Sequence, residues 1–382
     1  MNKNKKVWIL TRRAGTNYGS SLQAYAMQQV FNKIGHENEI IDYDEYNHNI
    51  RWRIRPFIED ALYSIMNISP RLSTFIANKK YSYLLSRKAQ CDKFHMFEKV
   101  NLVLTKKKFR TSKSIEREIK NVDICVCGSD QIWNPFLFDP VFYLDFCHNK
   151  EIKTIAYAPS FGVDQITQRE EQIKSLIDAI DFISVREDSG SKVIQKLTDR
   201  NAPVVLDPTL LLEREDWERI LSPIDIPQKP YILCYFLGNT FVPDQFINSL
   251  SEITNYKVEN ICTFRTLNSI RGETITTASP DEFLSYLANA AFVCTDSFHA
   301  TIFSIIFERQ FFTFERFKDG TENQNTRIYN LLTKIDLLYR LVDYHSIYSS
   351  SIPNVIFDKP KDLLEKLKQE SFHFIKTSLI IS

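Results

Sequence analysis

No stretch of this 382-residue chain reaches the ~18 consecutive apolar residues of a membrane-spanning helix. The basic opening Met1 to Lys6 runs into a strand pattern with no apolar signal segment behind it. Neither a spanning anchor nor a secretory leader is expected, which confines any membrane contact to the periphery. A charge imbalance is also missing: 48 Lys and Arg stand against 47 Asp and Glu, for a net charge of +1. No whole-molecule field therefore steers the protein toward nucleic acid, and any anion site has to be local. The seven cysteines include no CxxC pair. Cys125 and Cys127 are one residue apart on a strand, poor geometry for zinc. Five of the seven fall in or beside apolar runs, which reads as reduced core thiols of a cytosolic protein. HExxH and GxSxG are absent, and the first loop carries neither GxGxxG nor a lysine phosphate loop. Metalloprotease, serine hydrolase and lysine-loop readings thus have no motif behind them, and neither a metal nor a cofactor is called for.

What is present is alternation. Apolar strand-length runs and helix-period segments follow one another almost from end to end, the pattern of βαβ units and parallel sheets. The chain is long enough for two cores. The expected fold is α/β, with two doubly wound Rossmann-like domains facing a cleft. Strands are expected at Val7–Leu10, from Ile40-Ile41, and at Val122–Cys127, Thr154–Ala158, Phe182–Val185 and Val204–Leu206 in the first half, and at Tyr231–Phe236, Val258–Phe264, Phe292–Thr295 and Phe311–Phe314 in the second. Pro223, Pro227 and Pro230 punctuate a polar connector, which puts the first domain at 1–222 and the second at 223–382 with a C-terminal helix. Residues 46–100 read as an aromatic- and basic-rich helical insertion, densest at Arg51-Trp52-Arg53-Ile54-Arg55.

Four polar clusters sit at the C-terminal ends of expected strands, where open α/β sheets bind ligands. Asn17-Tyr18-Gly19-Ser20 opens a helix whose first amides can hold an anion, or it is simply a helix cap. In Gly128-Ser129-Asp130-Gln131-Ile132-Trp133-Asn134, Asp130 is a candidate base or sugar-hydroxyl acceptor. Trp133 is either a sugar-stacking face or a buried core residue. Arg186 ends an apolar strand as an anion clamp or as an ion pair with Glu187 or Asp188, and Arg327 can be a second cation. His299 lies in the first turn of a helix capped by Asp296 or Ser297, as a catalytic group or as a satisfied structural histidine.

These segments resemble the polysaccharide pyruvyl transferases. The likeness rests on Asn17-Tyr18-Gly19 with Leu22-Gln23-Ala24-Tyr25-Ala26, on Gly128 to Pro135, on Ser184-Val185-Arg186-Glu187, on Leu206-Asp207-Pro208-Thr209, and on Thr295-Asp296-Ser297-Phe298-His299-Ala300-Thr301. Ala300 stands where relatives often carry glycine. The resemblance implies a GT-B-like fold, phosphoenolpyruvate as donor, and a sugar of a cell-surface polysaccharide or its lipid-linked precursor as acceptor. Ketal formation needs an acid, a base and anion clamps. On that reading His299 and Asp130 are catalytic, and Arg186, Arg327, Ser297, Asn17 and Ser129 bind the donor. Trp133, Gln131 and Tyr18 then bind the acceptor. Two other classes share parts of the pattern: a nucleotide-sugar glycosyltransferase and a non-catalytic glycan-binding protein.

Overall fold

The structure is a computed structural model, and its described residues are 4–13, 15–45, 80–148, 151–238, 244–262, 272–316, 326–342 and 354–380, with side chains described from 87 onward in the second helix. Residues 46–79 of the expected insertion, including the Arg51–Arg55 run, lie outside them. Residues 80–101 form one long helix.

Among the described residues twelve strands make two sheets of six, every pair parallel. In the first sheet β1 is Lys6–Leu10, β2 Glu37–Tyr43, β3 Leu104–Phe109, β4 Ile124–Cys127, β5 Lys153–Ala156 and β6 Phe182–Ile183, in the order β3-β2-β1-β4-β5-β6. The second sheet comprises β7 Tyr231–Tyr235, β8 Lys257–Ile261, β9 Glu273–Ile275, β10 Phe292–Thr295, β11 Gln310–Phe314 and β12 Leu341–Val342, in the order β12-β11-β10-β7-β8-β9. Read from its own first strand, the second order repeats the first. Each sheet therefore reverses direction once, between β1 and β4 and between β7 and β10, and the crevice outside those strand ends is where a doubly wound fold takes its ligand.

The apolar sequence runs explain the central strands. Every residue of β4 and of β7 is buried, as parallel strands covered by helices on both faces require. The three strands the sequence reading did not anticipate, β3, β9 and β12, all lie at or beside a sheet edge. β3 carries three successive exposed lysines, Lys106 to Lys108, which blunts the edge against pairing and erases the apolar signal. The expected strand at Val204–Leu206 is reduced to a single bridge between Val185 and Val204.

One apolar core runs through both halves. Tyr18 stacks on Phe283 at 4.4 Å between ring centres, and Trp217 meets Phe303 edge-on at 4.7 Å. Offset or edge-on aromatic pairs of this kind add about 0.5–1.5 kcal/mol each beyond the area they bury. The C-terminal helix Asp358–Ile380 was expected with the second half, yet it packs on the first: Ser371 accepts the Leu206 amide at 3.0 Å, Phe374 lies 6.3 Å from Tyr157, and Lys368 bonds Glu213 at 2.8 Å. Among the described residues no helix is long and apolar enough to cross a membrane.

Candidate functional site

The two sheet reversals face each other, and each is followed by a helix whose N-terminus points into the join. After β1 comes helix Tyr18–Lys33, capped by Asn17, whose side chain accepts the Ser20 amide at 3.3 Å. After β10 comes helix Phe298–Ile306, capped by Ser297, whose hydroxyl accepts the Ala300 amide at 3.4 Å. Asp296 does not cap. Its carboxylate takes the Leu237 and Gly238 amides at 2.7 and 2.8 Å and Arg316 at 3.1 Å, which ties the end of β7 to the end of β10.

His299 sits where the two helix ends meet. A β-carbon built on Gly19 would stand 2.1 Å from its Nδ1, so the absence of a side chain at 19 is what lets the imidazole approach the first helix. The Gly19→Ala variant follows as a test. Helix propensity alone would favour it by about 1 kcal/mol. Displacement of His299 is nevertheless expected to lower turnover by at least ~10-fold, since a misplacement of about 1 Å costs that much or more. Unchanged steady-state turnover in a folded Gly19→Ala protein would refute the contact.

Around the imidazole lie Asp207, Arg186, Asp130 and Arg327. His299 Nε2 is 3.6 Å from Asp207 Oδ2, and Arg186 Nη1 bonds the same oxygen at 2.8 Å. Arg186 Nη2 is 3.9 Å from Asp130 Oδ1. Both guanidiniums lie over the Phe298 ring, Arg186 at 4.8 Å and Arg327 at 5.6 Å. Arg186, Asp130, His299 and Arg327 are 5, 8, 8 and 9% exposed, so all four are withdrawn from bulk water. Yet Arg186 Nε and Nη2, Arg327 Nε and His299 Nε2 are buried without a hydrogen-bond partner. Native proteins leave few such groups, and unsatisfied cationic donors on two arginines that share the Phe298 ring suit an anion.

The electrostatics agree. Burial, and then the like charge of Arg186, pull the Arg327 guanidinium down to about 9. Burial alone would raise the Asp130 carboxyl, but Arg186, His299, the Ser20 hydroxyl at 2.6 Å and Arg12 hold it below the usual carboxylate range. An anion arriving between the two arginines relieves their mutual repulsion. Between them and Asp207, Phe298, Asn330 and Lys334 is a cavity of about 30 Å³, room for about two waters. Among the described residues no cluster of His, Cys, Asp and Glu could hold a metal ion.

The structure thus brings together His299, Asp130, Arg186 and Arg327. Arg186 pairs with Asp207 and not with Glu187 or Asp188. Asn17 and Ser297 are present as helix caps, their side-chain oxygens turned onto backbone amides. Ser129 is fully buried, donating to the Ala158 carbonyl and to Asp207 Oδ2, both at 3.0 Å, so it supports the site from behind. Gly128 sets its place: φ is +124° and a β-carbon there would fall 1.9 Å from the Tyr157 carbonyl. Asp130 has φ +63°, a left-handed backbone that a short polar side chain tolerates and that turns its carboxylate toward the join.

Two acceptor assignments are corrected. Trp133 offers no face to a sugar, because it is completely buried, stacked on Tyr143 at 5.2 Å, with its indole NH on the Phe142 carbonyl at 3.1 Å. The turns after Asn134 wrap over it. Tyr18 is 1% exposed and donates to the Ala278 carbonyl at 3.0 Å, a contact that joins the halves. Asp207, to which the sequence reading gave no role, is the hub: its oxygens take Thr209, Ser129 and Arg186. An aspartate ending an apolar run ahead of Pro-Thr was the visible signal, and it reads equally as a cap.

A family model described as polysaccharide pyruvyl transferase matches residues 17–316, from the Asn17 cap through Asp130, Arg186, Asp207 and His299. Arg327 lies beyond that span. None of the curated proteins matches the chain. Solved structures with a similar chain path include a putative UDP-N-acetylglucosamine 2-epimerase from Listeria monocytogenes, at 10% identity and TM-score 0.47 over 99% of this chain and 90% of that one. The UDP-GlcNAc 2-epimerase of Methanocaldococcus jannaschii follows at 13% identity and TM-score 0.47, over 96% and 100%. The glycosyltransferase SnogD of Streptomyces nogalater matches at 10% identity and TM-score 0.40, over 98% of each. Likeness at this level carries no argument about chemistry. The family match does, since it covers most of the chain and both helix N-termini of the site: the chain belongs to the polysaccharide pyruvyl transferase family, and it is a transferase.

Proposed function

We propose that the protein transfers the pyruvyl group of phosphoenolpyruvate onto two hydroxyls of one sugar, in a cell-surface polysaccharide such as a capsule or exopolysaccharide or in its lipid-linked precursor, forming a cyclic ketal and releasing phosphate. The observation that carries this is the meeting of two buried, incompletely paired arginines with two helix N-termini around His299. Such a site suits a small molecule with two anionic ends.

The chemistry follows from the donor. A proton passes from His299 to the methylene carbon of the enol, and positive charge builds at C2. One acceptor hydroxyl bonds to C2 while Asp130 takes its proton. The C2–O bond to phosphate then breaks, phosphate leaves with the electron pair, and the second hydroxyl closes the ring. Arg186 and Arg327 stabilise the phosphate and carboxylate throughout. Phosphoenolpyruvate has ten heavy atoms, and its entry would be eased by a parting of the two faces of the join. The Lys334–Asp188 ion pair at 3.2 Å crosses that join, and it is exposed enough to open at little cost. The protein acts in the cytoplasm, or at the inner face of the membrane if the acceptor is lipid-linked.

Incubation with phosphoenolpyruvate and a panel of galactosides and N-acetylmannosaminides is expected to release phosphate and add the pyruvyl mass to a sugar; no release with any acceptor would sink the proposal. Thermal shift separates the alternatives. Phosphoenolpyruvate at 100 times its Kd stabilises by about 2.7 kcal/mol, and UDP- and GDP-sugars are expected to give no shift. The reverse pattern would point to nucleotide-sugar glycosyl transfer.

A further inference from the structure

Beside Asp130 the structure holds polar groups that the donor has no use for. β2, β1 and β4 are neighbours, so the residues that follow them share one rim: Glu45 after β2, Arg12 after β1, and Asp130 with Gln131 after β4. They are linked in a chain. Arg12 Nε bonds Glu45 Oε2 at 2.7 Å, Arg12 Nη1 reaches the Gln131 carbonyl at 3.4 Å, and the Gln131 amide donates to Asp130 Oδ1 at 2.8 Å. Two atoms of this chain are left over. Glu45 Oε1 and Gln131 Nε2 are both buried without a hydrogen-bond partner, and the Glu45 side chain is only 8% exposed. A carboxylate oxygen after β2 and an amide NH₂ after β4, the latter beside Gly162, are an acceptor and a donor of the kinds that bind sugar hydroxyls.

We propose that Glu45 and Gln131 form the acceptor subsite, with Glu45 as a second catalytic carboxylate that receives the proton of the second sugar hydroxyl. This rests on the pyruvyl-transfer reading. Ring closure needs that proton to go somewhere, since Asp130 has already taken the first. The balance is complete: the second O–H breaks to Glu45, its oxygen bonds C2, and the C2–O bond to phosphate breaks with the electron pair leaving on phosphate. The environments of the two carboxylates differ, Asp130 being held low and Glu45 raised. Burial lifts the Glu45 carboxyl above its ordinary range, opposed by Arg12 and reinforced by Asp130 and Asp139, which makes it the stronger base.

Glu45→Gln keeps the shape of the side chain and an oxygen for Arg12, and it removes the base. Turnover is expected to fall by about 100-fold while the phosphoenolpyruvate thermal shift stays as in the wild type. Quenched reactions of the variant are expected to contain sugar bearing the singly attached pyruvyl unit with its phosphate retained, visible by mass and by ³¹P NMR. Glu45→Asp, which keeps a carboxylate, is expected to recover part of the rate. Turnover of Glu45→Gln within twofold of wild type overturns the proposal, as does a loss of rate that Glu45→Asp shares in full. A wild type that releases no phosphate with any acceptor overturns the donor reading instead. In that case saturation-transfer NMR with methyl β-galactoside still decides the subsite: binding equal in wild type and in Glu45→Gln rejects it, and weaker binding in the variant supports it.

Discussion

Replacing His299 by alanine is expected to lower turnover by about 100-fold or more while leaving phosphoenolpyruvate binding within a few-fold of wild type. Loss of a positioned general acid costs 10²–10⁴ in rate. Donor affinity draws on Arg186, Arg327 and the two helix N-termini, none of which the substitution removes. A kcat that falls together with kcat/KM, at an unchanged thermal shift, is the signature of an interaction made in the transition state. The geometry sharpens the expectation. His299, carried by the second half, meets the first at two points, Gly19 on one side and Asp207 on the other, and Asp207 would offer a countercharge to an imidazolium there. Near-normal turnover of His299→Ala would remove the histidine from the chemistry and leave it as a spacer between two helix ends.

Asp207→Ala is expected to cost about 3–5 kcal/mol of stability and to abolish activity, the larger structural effect of the two. Its side chain is wholly buried beneath Arg186, and removing one partner of a buried pair leaves an uncompensated charge. Thr209 and Ser129 would also lose their acceptor. Asp207→Asn is no harmless substitute: with its oxygen kept for Thr209, its NH₂ would face the Ser129 hydroxyl and the Arg186 guanidinium, donors both. Burial on its own would raise the Asp207 carboxyl, but His299 and Arg186 hold it far below the usual range. A depressed folded-state pKa gives stability that is full above the unfolded value of about 3.9 and is lost as pH falls toward the folded value. Denaturant midpoints of wild type and variant should therefore differ most near neutrality and converge in acid. A variant as stable as wild type at pH 7 would show that Arg186 has another counterion.

Much of this site could be read before any fold was known, for a definite reason. Parallel strands buried on both faces write themselves as continuous apolar runs, and polar residues that interrupt such runs at their C-terminal ends stand where open α/β sheets bind ligands. That logic picked out Asp130, Arg186 and His299. It failed where a residue's role depends on what covers it. Trp133 has the composition of a sugar platform, and only the turns folded over it make it core. Tyr18 opens a helix at the right strand end, yet its ring faces Phe283 in the other half. Edge strands failed similarly, because β3 with its three lysines has only local burial to report.

The sequence by itself determined the repeated βαβ grammar, the absence of a net field, and the short polar segments that end the strands, since each depends on residues near one another in the chain. Only the tertiary structure decided that two helix N-termini 280 residues apart close on one imidazole, as the Asn17 and Ser297 caps do. It alone decided that Asp207 binds Arg186, Ser129 and Thr209 together, and that Glu45 comes beside Asp130. These are contacts between separate strand ends, and strand order, which brings β2, β1 and β4 side by side, is set by packing across the whole sheet.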